Sequence, residues 1–251
     1  MGLYESDHPD VPNLKGLHPY HFTVSNCSQR VRLALEEKGL EWTSHHLNLP
    51  GNEHVTSDYQ RINPKGVVPT LVHDGQVVLE SNDILVYLDE QFPEPPLRPA
   101  EAAARQRMRE LIALSSAFQP TIKTLSHELL FRPFRKVGEA EVALYEAQHN
   151  DPALAAFLRD YAENGAAWQD RVAKAKVELE ATLDRLEAAL GEGPWLSGAQ
   201  YGLADISWAV NLNRLNQAQL DLSRWPRFAA WGERATARPA FERAVVSYTP
   251  S

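Results

Sequence analysis

A chain of 251 residues, 43% of them hydrophobic and 23% charged, can bury one large core or two small ones, and disorder is not expected outside its ends. A net charge of −8 argues against a nucleic-acid partner, because neutralising phosphates needs a clustered basic face; the one short basic run, residues 131–136, is expected to be a solvated helix end. No run approaches the roughly 20 apolar residues of a membrane span, and a single cysteine excludes an internal disulfide and any need for an oxidising compartment.

Residues 1–16, MGLYESDHPDVPNLKG, are polar and proline-bearing, without the apolar core or cleavage site of a signal peptide. They are expected to form a flexible leader. Residues 17–23 predict a strand and 29–38 a helix, with Val31, Ala34 and Leu35 on one face and Gly39 stopping it. A second strand is expected over 42–49 and a short helix over 54–62. The stretch VPTLVHDGQVVLES holds two apolar runs joined by Asp74-Gly75, the strongest short hairpin signal. A third helix follows from Ser81 to about Gln91. The order β-α-β-α-β-β-α predicts a sheet domain with packed helices over 17–92. Four prolines across 92–101 mark a linker, set at 93–100, and beyond it 101–251 is helical in pattern. The clearest helix is 172–190, where Val172, Leu179, Leu183, Leu186 and Leu190 form one stripe. Proline, glycine and asparagine across 119–165 predict broken helices there.

Four places carry candidate chemistry. Pro69 suits the first residue of a strand, and its X-Pro bond is a candidate cis peptide that would turn the Val68 amide and carbonyl toward an extended peptide ligand. An ordinary trans proline is the simpler account of these residues alone. Ser81 fits an N-cap, and with Glu80 beside it the helix start would hold the carboxylate and ammonium of an amino-acid-like head; an ordinary capped helix fits equally. Ser25 and the lone Cys27 open the first helix, where a helix N-terminus favours a thiolate and a hydroxyl donates to one. A lone cysteine also serves as a small buried hydrophobe. Within YGLADISWAV, Asp205 is placed to cap the Gly202 amide, a structural role.

Taken together these segments resemble the cytosolic glutathione transferase superfamily, from Leu17 to the end of the chain, through VVPTL, ES, GLADI and RWPRFAAWGERATARPAF in the family's order. The resemblance implies an α/β thioredoxin-like N-terminal domain, an all-α C-terminal domain and glutathione as cosubstrate. It also implies a cytoplasmic homodimer, no bound metal and no membrane association. By position, Pro69 matches the family's cis-proline, Val68 the backbone partner of the cysteinyl unit, and Glu80 and Ser81 the pair holding the γ-glutamyl end. His54 matches the histidine that theta-like members use on the glycyl carboxylate. Val67 departs from the usual Gln or Lys, a contact that Lys65 would replace from another angle. Ser25 falls at the thiolate-stabilising hydroxyl. YHFTVSNCSQRVRLALEEKGL looks most like the tetrachlorohydroquinone dehalogenase branch, where the matching serine activates glutathione and a cysteine, here Cys27, attacks the aryl–glutathione thioether. The activity implied is transfer of glutathione to an electrophilic, aromatic carbon. A β-aryl ether-cleaving transferase and a non-catalytic glutathione-binding protein are the alternatives. A hydrophobic substrate wall is expected from Tyr20, Phe22, Phe118, Thr121, His127 and Trp208.

Overall fold

A computed structural model describes residues 2–149 and 151–249. The first half is a five-stranded sheet in the order β1-β5-β4-β2-β3: β1 is Leu3–Tyr4, β2 Leu17–His21, β3 His45–His46, β4 Thr70–His73 and β5 Gln76–Val78. β3 runs parallel to β2, and the other neighbours are antiparallel. Asp74 and Gly75 close the β4–β5 hairpin with φ of 49° and 84°, the paired positive values a two-residue hairpin turn requires.

Successive strand residues face opposite sides, and the two sides are covered differently. Leu17, Leu71 and Val78 join the core beneath helices α1 (Asn26–Glu37) and α3 (Ser81–Gln91). Val72 and Val77 pack instead with Tyr59 and Ile62 of α2 (Ser57–Ile62) and with Val11. Val11 belongs to the expected flexible leader, and that expectation is corrected here. Residues 3–4 pair with β5, Ser6 Oγ donates to the Arg61 carbonyl at 2.7 Å, and His8 lies 3.2 Å from Asp58. Apolar residues scattered without a period, Leu3, Tyr4, Val11 and Leu14, hid a segment that the second face of the sheet needs as cover. Of the strand expected over 42–49, only His45–His46 pairs.

The first helix begins three residues earlier than expected, because Ser25 caps it by accepting from the Ser28 amide at 3.3 Å. Val31, Ala34 and Leu35 are buried as expected, but so are Arg30 and Arg32. Arg30 donates to the Ser207 carbonyl, to Ser81 Oγ at 2.7 Å and to Ser115 Oγ; Arg32 donates to the carbonyls of Phe22, Thr23 and Ala244. Oxygen acceptors satisfy these guanidiniums, which burial would otherwise penalise heavily.

The second half is helical: α4 (Ala102–Ala117), α5 (Gln119–Ser126), α6 (Glu139–Gln148), α7 (Pro152–Glu163), α8 (Ala166–Ala189), α9 (Leu203–Gln217) and α10 (Pro226–Thr236). The expected breaks separate α5, α6 and α7. Asp205 accepts from the Gly202 amide, the Leu196 amide and Trp231 Nε1 at 2.9, 2.9 and 2.7 Å, fixing the start of α9. After α5 the chain widens into a π turn over His127–Phe131. The basic run that follows is solvated only in part: Arg132 bonds Glu128 at 2.7 Å and Arg135 bonds Glu141 at 2.5 Å, while Pro133, Phe134 and Lys136 are exposed, Phe134 by 89%.

Candidate active site

A cavity of about 560 Å³ is lined by residues of both halves. From the sheet half come Phe22, Ser25, Asn26, Cys27, His54, Val67, Val68, Pro69, Glu80 and Ser81. The C-terminal half contributes Gln119, Ile122, Lys123, Ser126 and His127, a single stripe of α5 running into the π turn, together with Phe131, Arg135, Tyr145, Phe157 and Arg214.

Ser25 occupies the N-cap of α1, and its Oγ lone pair is spent on the Ser28 amide. The hydroxyl proton therefore remains available to donate into the cavity. Cys27 lies two residues further on, partly exposed, with Arg30 Nη1 3.9 Å from its sulfur. Arg30, Lys123 and Arg214 each interact electrostatically with it.

The Val68-Pro69 peptide bond is cis, and both residues line the cavity. Ser81 is not the N-cap of α3 but its first helical residue; Glu80 takes the N-cap place without a side-chain cap. Glu80 has φ 64° and ψ 114°, a region costly for any residue with a Cβ and found where function over-determines the backbone. The bond from Arg30 holds Ser81 Oγ against α1.

His54 is 5% exposed; its Nε2 is 2.7 Å from the Tyr145 hydroxyl, and its buried Nδ1 has no partner among the described residues. Burial, with His149 and Arg135 nearby, lowers its pKa to about 4, so the ring is neutral near pH 7. His149 stacks on Tyr145 at 5.5 Å and reaches the Gly66 carbonyl at 3.2 Å. The α6 helix is thereby pinned over the sheet half.

Several expected side chains go elsewhere. Lys65 is outside the lining and pairs with Glu80. Tyr20 faces the α2 side of the sheet, stacked on His45 at 4.3 Å and tilted against Tyr59. Phe118 and Trp208, each 1% exposed, pack on one another at 5.4 Å, and Trp208 Nε1 donates to the Leu111 carbonyl. Thr121 is buried on α5 outside the cavity stripe. Phe22 and His127 do line the cavity. Sequence reasoning missed Asn26, Lys123, Tyr145, Phe157 and Arg214. Asn26 stands between Ser25 and Cys27, and adjacency alone would have flagged it.

A family model described as the glutathione S-transferase N-terminal domain matches residues 20–96, and one for the C-terminal domain matches 148–234. A tetrachloro-p-hydroquinone reductive dehalogenase of Sphingobium chlorophenolicum is 30% identical over 246 residues, covering 90% of this chain and 94% of that protein. Among solved structures, the beta-etherase LigF from Sphingobium sp. strain SYK-6 has a TM-score of 0.82 at 27% identity, covering 91% of this chain and 98% of that one. A theta class glutathione S-transferase from Xanthomonas axonopodis pv. citri, with glutathione bound, has a TM-score of 0.71 at 26% identity, covering 94% and 99%.

Proposed function

Because this chain belongs to the glutathione S-transferase family and takes glutathione as cosubstrate, we propose that Ser25 stabilises the glutathione thiolate for attack on an electrophilic aromatic carbon. The observation that carries this is the Ser25 hydroxyl, its oxygen accepting from the Ser28 amide and its proton free to donate, opening on a cavity whose far side is mostly apolar and aromatic. Val68 offers its backbone to the cysteinyl unit, and Glu80 with the Ser81 helix start takes the γ-glutamyl ammonium and carboxylate. His54 serves the glycyl carboxylate as a neutral donor: a Tyr145 hydroxyl donating to Nε2 leaves the proton on the unpartnered Nδ1. Lys65 acts indirectly, through Glu80.

In the transfer step the glutathione sulfur bonds to carbon while halide or phenoxide leaves with the electron pair. Displacement of a phenoxide would make the chain a β-aryl etherase, a reading favoured by the structural likeness to LigF. We place the protein as a cytoplasmic homodimer in the breakdown or detoxification of aromatic compounds, on the strength of its family and relatives. No described helix is long and apolar enough to cross a membrane. Retention on immobilised glutathione together with turnover of 1-chloro-2,4-dinitrobenzene tests the reading; retention without turnover would mark a binding protein instead.

Glu80→Gln is expected to raise the glutathione Kd by about tenfold or more, since a charge-assisted bond to an ammonium contributes roughly 1.5–3 kcal/mol. Isothermal calorimetry showing an unchanged Kd would refute the placement of the γ-glutamyl end.

Cys27 shares the cavity with Ser25, which favours a second step. Its thiolate would attack the sulfur of an aryl–glutathione thioether, forming a mixed disulfide while the aryl carbon leaves and takes a proton; a second glutathione then releases glutathione disulfide. Cys27→Ser is expected to consume an aryl halide and stop at the thioether. Mass spectrometry after one turnover should find one glutathione on wild-type Cys27. An unmodified thiol beside accumulated thioether would exclude the step for that substrate.

A further inference from the structure

The helical wall of the cavity carries positive charge that the protein leaves uncompensated. Lys123 Nζ stands 4.2 Å over the Phe157 ring, and among the described residues it makes no ion pair and no hydrogen bond. Burial pulls its pKa down to about 8, with Asp151 and Cys27 opposing that fall and Arg171 and Arg135 adding to it. Arg214, 6% exposed, donates to the Val24 carbonyl at 2.5 Å and to Gln217 Oε1 at 3.2 Å, and lies 5.4 Å from the Phe131 ring. None of these partners is an anion. The third cation in the lining, Arg135, already has Glu141. Glu80 is the one carboxylate among the lining residues; it stands on the sheet side and has Lys65. In a chain of net charge −8, two desolvated cations therefore face the cavity beside an aromatic surface of Phe131, Phe157 and His127. A buried cation without an ion-pair partner is expensive, and a guanidinium and an ammonium lining one cavity suit a carboxylate.

We propose that the electrophile accepted by this cavity is an aromatic ring bearing a carboxylate, held by Lys123 and Arg214 with its ring against Phe131 and Phe157. The proposal rests on the transferase reading above and names its substrate class. Neutral chloronitrobenzenes would still turn over, but more slowly than their carboxylated counterparts.

The test compares 4-chloro-3-nitrobenzoate with its methyl ester as electrophiles, both with glutathione. The ester is intrinsically the more reactive, so a wild-type kcat/KM at least tenfold higher for the carboxylate supports the proposal. Lys123→Met conserves volume and should lower the carboxylate-to-ester ratio by roughly 10- to 100-fold, the range for losing a charge-assisted bond. Lys123→Arg should restore part of it. A melting curve checks that the variants fold. Equal or faster turnover of the ester overturns the proposal. So does a Lys123→Met variant with an unchanged ratio and a raised KM for glutathione, which would assign the cations to glutathione itself. Calorimetric binding of 4-nitrobenzoate, which has no leaving halide, separates the two readings. Binding without turnover of either electrophile keeps the anion site and defeats the transferase reading; turnover of the ester without 4-nitrobenzoate binding does the reverse.

Discussion

Ser25→Ala is expected to lower kcat/KM for glutathione conjugation by about 10- to 1000-fold, the usual cost of removing one donor to a stored or developing anion. The same substitution removes the N-cap of α1 and so costs about 0.5–2 kcal/mol of stability, a loss that a domain stable by roughly 5–15 kcal/mol survives. The two effects separate with Ser25→Gly, because glycine is a tolerable N-cap, only a few tenths of a kcal/mol worse than serine. Ser25→Gly should regain most of the melting temperature and none of the rate. Steady-state kinetics with saturating electrophile would show this. If Gly restores activity along with stability, the hydroxyl acts only through the helix and another group activates the thiol.

Mild acid is expected to destabilise the protein by several kcal/mol between about pH 6.5 and pH 4.5. Burial, with Arg32 and two neighbouring histidines, lowers the pKa of His21 to about 3. Burial likewise lowers His54 and His127 to about 4, in His127 with help from the nearby Lys123, Arg135 and Arg214. All three values lie below the ordinary 6.5, so the unfolded chain binds protons that the folded chain refuses. Stability is full above about pH 6.5 and drains as pH falls toward the folded values. Each unit of the window is worth about 1.4 kcal/mol per histidine, reduced where water still reaches the ring. Urea midpoints at pH 7 and pH 5 would measure the loss, and equal midpoints would show that the rings are freely protonated in the fold. His21→Phe should flatten part of the slope.

Local chemistry was the most legible part of the sequence. Asp74-Gly75 specified its turn, the third helix ended at Gln91 as expected with its N-cap one residue early at Glu80, and the apolar stripe of α8 fell where it was expected. The thiol-side residues were legible because Ser25 and Cys27 depend on one helix start. The opposite wall was not, because α5, with few apolar residues, is buried on more than one face. Gln119, Ile122, Lys123, Ser126 and His127 look into the cavity, whereas Phe118 and Thr121, one position off that stripe, face the core. The packing of α5 against α8 and α9 decides which stripe is which. Arg30 and Arg32 were invisible as core residues for a similar reason: their acceptors, Ser207 and Ala244, are about two hundred positions away in the chain. Tyr20 was misplaced by one step of strand alternation, which sends neighbouring side chains to opposite faces.

The short β1 strand has a consequence for how copies of this protein behave in a crowded solution. β5 would otherwise present an open row of amides and carbonyls at the margin of the sheet, a template on which another chain can add a strand. Leu3 and Tyr4 occupy that row, and the Leu79 amide donates to the Gly2 carbonyl at 2.7 Å. The fit is close: a Cβ on Gly2 would come within 2.3 Å of the Leu79 carbonyl oxygen. Trimming the chain back to Gly16 would remove the Gly2 bond to Leu79, which lines the cavity beside Glu80, and would leave Val77 and Val78 as an apolar edge strand free to pair with its own copies. Two residues of backbone thus guard the sheet against edge-to-edge strand pairing between copies.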